Sequence, residues 1–244
     1  MGGPHKDENS NPRWAGNRGN LHSDYIDDFD YKILSIAGNE KIIQHFVYLP
    51  VFESFHNYIN KYSTVPLTNA QFEQISSVFR PKTLRKKQYF LQEGEVCKYF
   101  GFIVKGAMRQ YSVDDKGAEH IVNLSLENWW VGDRESFVML TPSIYNIDAW
   151  EDTELLVITK ADTLQIVREI PAFNEMVRKM DEMHFIAAQK RTNAAVSLPA
   201  DKRYIDFINN YPDLMQRFPQ HIIASYLGIS KETLSRVRNR GVRK

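Results

Sequence analysis

The spacing of apolar residues changes three times along this chain. Over residues 52–79 it is helical. Phe55, Tyr58, Ile59 and Tyr62 form one stripe, and Leu67, Phe72, Ile75, Val78 and Phe79 a second. Pro66 separates the two, and Thr68 is placed to cap the second helix. From residue 81 to about 159 the period falls to two. Glycines at 94, 101, 106, 117 and 132 punctuate short strands, and Asp-Asp-Lys-Gly at 114–117 reads as a hairpin turn. Over 119–126, alternation predicts His120, Val122, Leu124 and Leu126 on one face and Glu119, Ile121, Asn123 and Ser125 on the other. Several such strands at even spacing predict a small antiparallel sandwich or jelly roll.

From residue 161 to about 196 the helical period returns and predicts one long helix. Phe173, Met176, Met180, Met183 and Ala187 step by three and four residues, and Lys190 and Ala194 continue the series. The stripe reads as a coiled-coil seam of about three heptads, facing a second copy of the chain. Val177 and Ile186, on its flank, are expected against the helix's own barrel. Ser197-Leu-Pro199 makes a hinge. Residues 200–210 predict another helix, with Tyr204, Ile205, Phe207 and Ile208 apolar, ended by Tyr211-Pro212.

The stretch that follows, Pro219-Gln-His-Ile-Ile-Ala-Ser-Tyr-Leu-Gly-Ile-Ser-Lys-Glu-Thr-Leu-Ser-Arg-Val-Arg-Asn-Arg240, reads as two short helices around a tight turn. Pro219 suits a first helical position, Gly228 the positive φ of the turn, and Ser230 the cap of the second helix. Ile223, Leu227, Ile229, Leu234 and Val237 are spaced to share one small core, and Ala224 is small enough for a close crossing. This is the helix-turn-helix pattern. The exposed positions of its second helix are Ser230, Lys231, Glu232, Thr233, Ser235, Arg236, Arg238, Asn239 and Arg240. Lys and Arg can read guanine, Glu can accept from cytosine, and Ser or Thr can hold phosphate. From Gly228 onward Lys231, Arg236, Arg238, Arg240, Arg243 and Lys244 stand against one acid, Glu232, while the whole chain is only +1. Positive charge is therefore concentrated where a major groove would need it.

Composition narrows the remaining classes. A hydrophobic content of 43% supports a packed core. The single cysteine, Cys97, excludes an internal disulfide and points to a reducing compartment. No apolar run is long enough to span a membrane, and the N-terminal stretch lacks the apolar core of a signal peptide. A soluble cytoplasmic protein is expected. Residues 1–22 read as disordered, and 23–50 as a loosely packed extension carrying Asp24, Asp27, Asp28 and Asp30.

Barrel, long helix, hinge and helix-turn-helix in this order resemble the cAMP receptor protein and fumarate–nitrate regulator (Crp/Fnr) family of bacterial transcription regulators, over residues 55–240. The resemblance is carried by Tyr89-Phe-Leu-Gln-Glu-Gly-Glu95, by Phe102-Ile-Val-Lys-Gly106 and by residues 223–240. Residues 219–229 are similar to members from the Bacteroidetes lineage. The resemblance implies an α+β chain: a cyclic-nucleotide-binding-like β-barrel at 51–171, a dimerisation helix and hinge at 172–197, and a DNA-binding domain at 198–244. It implies a homodimer on a palindromic operator, with RNA polymerase and an unassigned small-molecule effector as further candidate partners. Lys231, Glu232 and Arg236 match the family's base-reading positions, and Ser230 and Thr233 its phosphate contacts. The connector before Pro219 is shorter than the family's β-hairpin, so a full wing is not expected.

The effector pocket departs from the pattern. Cyclic-nucleotide members carry Gly-Glu-x-Gly, then an Arg-Ser pair. Here the matching stretches are Gly132-Asp-Arg-Glu135 and Ser143-Ile-Tyr-Asn-Ile-Asp-Ala149. Gly132 is kept, Asp133 replaces the acid, Glu135 the second glycine, and Ser143 the arginine. Arg134 supplies a positive charge between two acids. An effector other than cyclic AMP is expected, with Trp129, Trp130 and Tyr145 as candidate apolar walls. The cysteine cluster of the oxygen-sensing members is absent. No catalytic residue, metal ligand set or cofactor is read from the sequence. His120 is the only histidine between residues 81 and 159, which argues against a cupin-like metal enzyme. A regulatory module acting through protein partners is the other alternative, and the filled helix-turn-helix pattern argues against it.

Overall fold

A computed structural model describes residues 50–241; the acidic stretch and the extension expected before them lie outside the described residues. Helix α1 (Pro50–Tyr62) buries Phe52, Phe55 and Ile59 on one side. Helix α2 (Asn69–Val78) starts at a capping box. The Thr68 hydroxyl accepts from the Gln71 amide at 3.3 Å, and the Gln71 side chain accepts from the Thr68 amide at 3.0 Å. Its Phe72 and Ile75 are buried in the same core.

Eight strands follow: β1 (Arg80–Leu84), β2 (Tyr89–Leu91), β3 (Tyr99–Lys105), β4 (Met108–Val113), β5 (Glu119–Ser125), β6 (Trp130–Val131), β7 (Asn146–Ala149) and β8 (Thr153–Thr159). They form two four-stranded antiparallel sheets, ordered β1-β8-β3-β6 and β2-β7-β4-β5. The expected hairpin joins β4 to β5: the Asp114 carboxylate accepts from the Lys116 and Ala118 amides, each at 2.9 Å. Phe55, Phe79, Phe102 and Trp130 meet in the core, with Phe55 4.6 Å from Phe79 and 5.0 Å from Phe102 between ring centroids.

Strict alternation fails in β5. Gln110 pairs with Asn123 but Tyr111 pairs with Ile121, which leaves Val122 as an extra residue. A bulge of this kind shifts the face of everything beyond it. Ile121 and Leu124, predicted on opposite faces, therefore lie in one apolar cluster.

Helix α3 (Arg134–Met139) lies between β6 and β7, and α4 (Lys160–Glu169) follows β8. The long helix is shorter than its periodicity predicts. α4 ends at Glu169 with Ile170 as its extended cap, and α5 runs Pro171–Ser197, because Pro171 has no N–H to continue the ladder and disfavours helix in the residue before it.

The predicted seam divides on α5. Ala172, Phe173, Met176 and Met180 are buried in the chain's own core with α1, so Phe173, Met176 and Met180 are not available to a partner. Met183 and Ala187 are exposed, as is every residue from 182 to 193. The flank also differs from expectation: Val177 packs on the core, but Ile186 is half exposed. One further contact fixes α5. The Glu175 carboxylate accepts from the Thr64 amide at 2.7 Å, from the Ser63 and Thr64 hydroxyls, and pairs with Lys179 at 3.2 Å. The Thr64 amide above all holds this carboxyl down at about 2.

The remaining elements are helices: α6 (Ala200–Asn210), α7 (Pro212–Arg217), α8 (Gln220–Tyr226) and α9 (Lys231–Gly241). The connector that would carry a wing is helical here, in α7.

Candidate functional site

Helices α8 and α9 form the predicted helix-turn-helix. Gly228 takes φ +62° in the turn, where its amide donates to Ser225 O and the Ile229 amide to Ala224 O, both at 3.0 Å. Pro219 stands one residue outside α8, at its cap rather than its first turn. The Ser230 hydroxyl accepts from the Thr233 amide at 3.2 Å and so starts α9. Tyr204 of α6, Ala224 and Leu234 are the buried centre of the module, with Leu227, Ile229 and Val237 around them. Ile223 is not part of that core; with Ile222 it faces the barrel.

The opposite face of α9 is polar. Ser230, Lys231, Glu232, Ser235, Arg236, Arg238 and Asn239 are exposed, and Thr233 is half-buried. Arg236 donates to the Thr233 hydroxyl at 3.0 Å. The backbone at Glu232 itself and the Ser230 hydroxyl hold the Glu232 carboxyl below its ordinary value. The Arg240 side chain lies outside the described residues.

The predicted effector residues do not stay together. Asp133 is buried at the cap of α3. It accepts from the Glu135 amide at 3.1 Å and from the buried Ser143 hydroxyl at 2.7 Å. Tyr145 reaches this pair through its amide, which donates to the Ser143 oxygen at 3.0 Å. Gly132 has φ +152°, and a Cβ there would lie 2.4 Å from the Phe100 ring, so packing alone requires glycine. Three residues face elsewhere. Arg134 extends to α5 and pairs with Asp181 at 2.5 Å. Glu135 is exposed. Trp130 is part of the aromatic core, its ring 6.0 Å from Phe100. Trp129 stands against Tyr211, 6.1 Å away, where barrel and helices meet. Cys97 is buried, and burial pushes its thiol up to about 11, which makes it a poor nucleophile.

Sequence reasoning missed the junction that positions the helix-turn-helix. The outward face of the second sheet carries an apolar patch, Tyr111, Ile121 and Leu124, buried against Phe218, Ile222 and Ile223, beside the Arg109–Asp148 ion pair at 2.9 Å. Strand β5 is the edge of that sheet, and its Ile121 amide donates to the Ser225 hydroxyl of α8 at 3.0 Å. That hydroxyl donates in turn to Glu119 O at 3.2 Å. Arg217 at the end of α7 forks onto two carboxylates of the barrel. It meets Glu151 at 2.8 and 2.5 Å and Glu127 at 3.1 and 3.2 Å. Its backbone oxygen accepts from the Trp150 indole at 3.2 Å. Beside the clamp is a cleft of about 360 Å³ bounded by Trp129, Tyr211 and Arg217. The partners of Arg217 lie 66 and 90 residues away in the chain, so no local signal announces them.

Residues 81–169 match the family model of the cyclic nucleotide-binding domain. Three solved structures align over most of their own length. FixK2 of Bradyrhizobium japonicum is 18% identical with a TM-score of 0.59, over 67% of this chain and 84% of its own. The c-di-GMP-responsive global regulator CLP of Xanthomonas campestris is 12% identical with a TM-score of 0.59, over 71% and 91%. A proposed Crp/Fnr-family transcriptional regulator of Eubacterium rectale is 19% identical with a TM-score of 0.54, over 72% and 85%. The chain has the fold of the Crp/Fnr regulators. No curated protein matches it. Within that Crp/Fnr fold, the helix-turn-helix of this chain is held on the outer face of the barrel by one shared apolar cluster and one arginine clamp.

The clamp sets a measurable stability at the junction. Its groups are each about one-third exposed, which discounts the ion pairs. Arg217→Met should cost of order 1 kcal/mol in local stability and speed exchange of the Ile121 amide roughly fivefold. Hydrogen exchange read at that amide checks this, and an unchanged rate would show that the apolar cluster alone holds the module.

Proposed function

We propose that this chain is a homodimeric, sequence-specific DNA-binding transcription regulator of the Crp/Fnr type. One observation carries the reading. α9 buries Leu234 completely and offers Lys231, Ser235, Arg236 and Arg238 to solvent, from a start fixed by Gly228 and Ser230. These are base-reading and phosphate-binding side chains on the helix that enters a major groove in such modules. A palindromic operator follows if two copies associate.

The exposed part of α5 supports that association. Met183, Ile186 and Ala187 share a stripe with no cover within the described residues, beyond the point where the barrel stops burying the helix. A second copy is the occupant this reading assigns, because two such stripes are self-complementary about a two-fold axis.

The effector of this regulator is not cyclic AMP bound in the family's manner. A buried cyclic phosphate needs a positive partner. The buried acid Asp133 faces Ser143 at the position of interest, and Arg134 is engaged by Asp181.

Three measurements test the reading. Once operators have been selected from genomic fragments, Arg236→Ala should weaken cognate binding by about 1–3 kcal/mol and relax preference at one position. Gel shift with unchanged affinity and preference would remove α9 as the reader. Met183→Glu should give a folded monomer by sedimentation, since two like charges would meet at the seam. Met180→Glu should instead destabilise the fold, because it buries a carboxylate inside one chain; a persistent Met183→Glu dimer would place the interface elsewhere. Calorimetry with millimolar cyclic AMP should give no saturable heat, and a micromolar dissociation constant would overturn the assignment of the pocket.

A further inference from the structure

Helix α6 supplies more than a prop for α9. It places Tyr204 in the helix-turn-helix core, beside Ala224 and Leu234. The residue before it, Arg203, extends along the turn between α8 and α9. Its Nη1 lies 3.6 Å from the point a Cβ on Gly228 would occupy. Its Nε is buried and has no hydrogen-bond partner. Among the described residues Arg203 belongs to no ion pair.

A guanidinium is always charged and presents five donors in a fixed fork. The Nη groups of Arg203, unlike Nε, are not enclosed and have no acceptor among the described residues, so that end of the fork is open to an anion. Three carbonyls near the end of α8 already accept backbone amides. Ile223 O accepts from the Leu227 amide at 2.9 Å, and Ala224 O and Ser225 O accept from the turn amides at 3.0 Å.

We infer that Arg203 is a phosphate ligand for duplex DNA, contributed by α6 from outside the helix-turn-helix pair. This rests on the DNA-binding reading and adds to it a contact that α9 does not provide. The residues of α9 that would enter the groove begin at Lys231, three positions beyond Gly228. The N-terminal residues of a recognition helix contact base edges, so the turn before them borders the sugar–phosphate backbone. A phosphodiester there can accept from the fork of Arg203 in the bidentate manner that suits this side chain. The contact carries no sequence information. It fixes how deeply and in which register α9 is seated.

The test uses the full chain and a duplex of mixed sequence, with affinity measured across a salt series. Arg203→Met keeps the aliphatic stem and removes the charge. It should weaken binding to every duplex alike and flatten the logarithmic salt dependence by about 0.9 per protomer. Arg203→Lys, which keeps the charge, should retain the wild-type slope. An Arg203→Met slope equal to wild type overturns the assignment, and a lowered melting temperature with that same slope shows a purely structural arginine. Wild-type protein that binds no duplex at low salt overturns the DNA-binding reading, and this assignment with it. Wild-type binding with an unchanged Arg203→Met slope overturns this assignment alone.

Discussion

The second sheet of the barrel carries buried apolar side chains on both of its faces, and most of the architecture follows from that. Its inner face packs Met108, Ile147 and Ala149 into the sandwich, while its outer face carries Tyr111, Ile121 and Leu124. A sheet with one solvated face needs only one covering layer; this one needs two. The outer layer is the helical module, through Phe207, Leu214, Phe218, Ile222 and Ile223. Burial of such side chains stabilises by roughly 1.5–3 kcal/mol each before conformational entropy is subtracted. The module is therefore held chiefly by the hydrophobic effect, which has no preferred direction. Direction comes from the polar contacts at the rim: Ser225 on the β5 edge and Arg217 on its two carboxylates. With the barrel side of α8 committed in this way, the polar side of α9 is left exposed to solvent.

What could be read from the sequence was local. The Thr68 cap, the hairpin at Asp114 and the turn at Gly228 each depend on a few consecutive residues, and the structure has all three. The seam could not be read in full, for a physical reason. A three–four stripe says that a helix face is covered and nothing about what covers it. Phe173, Met176 and Met180 meet the chain's own core, and the same stripe emerges into solvent at Met183. The faces of β5 were misassigned because a bulge costs one residue of register and leaves no mark in composition. Trp130 and the Arg217 clamp depend on chain segments brought together only by the fold.

The barrel chemistry argues in the same direction from two sides. Asp133 and Ser143 satisfy one another and the backbone at the position where the proposed reading looks for the effector. The cation that the sequence does supply, Arg134, is spent on Asp181, which belongs to α5. On the proposed reading, an anionic ligand there would be repelled by the Asp133 carboxylate and would compete with Asp181 for the same guanidinium. A neutral or cationic ligand faces neither cost.

That Arg134–Asp181 pair also bears on how the barrel is linked to the helix-turn-helix. α5 is gripped at two heights. Near its middle Asp181 takes Arg134. Ten residues on, Arg191 donates to Val122 O and lies over the Tyr226 ring of α8, 5.3 Å away. Val122 is the extra residue of the β5 bulge, so its carbonyl is left out of the ladder and open to such a donor. One side chain of α5 thus touches the barrel's edge strand and the first helix of the helix-turn-helix together. A helix is stiff over a distance this short, so a shift of α5 that breaks the pair at Asp181 also displaces Arg191 from both of its contacts. The bulge is in this sense more than a defect of pairing: it supplies the acceptor through which α5, β5 and α8 share one arginine.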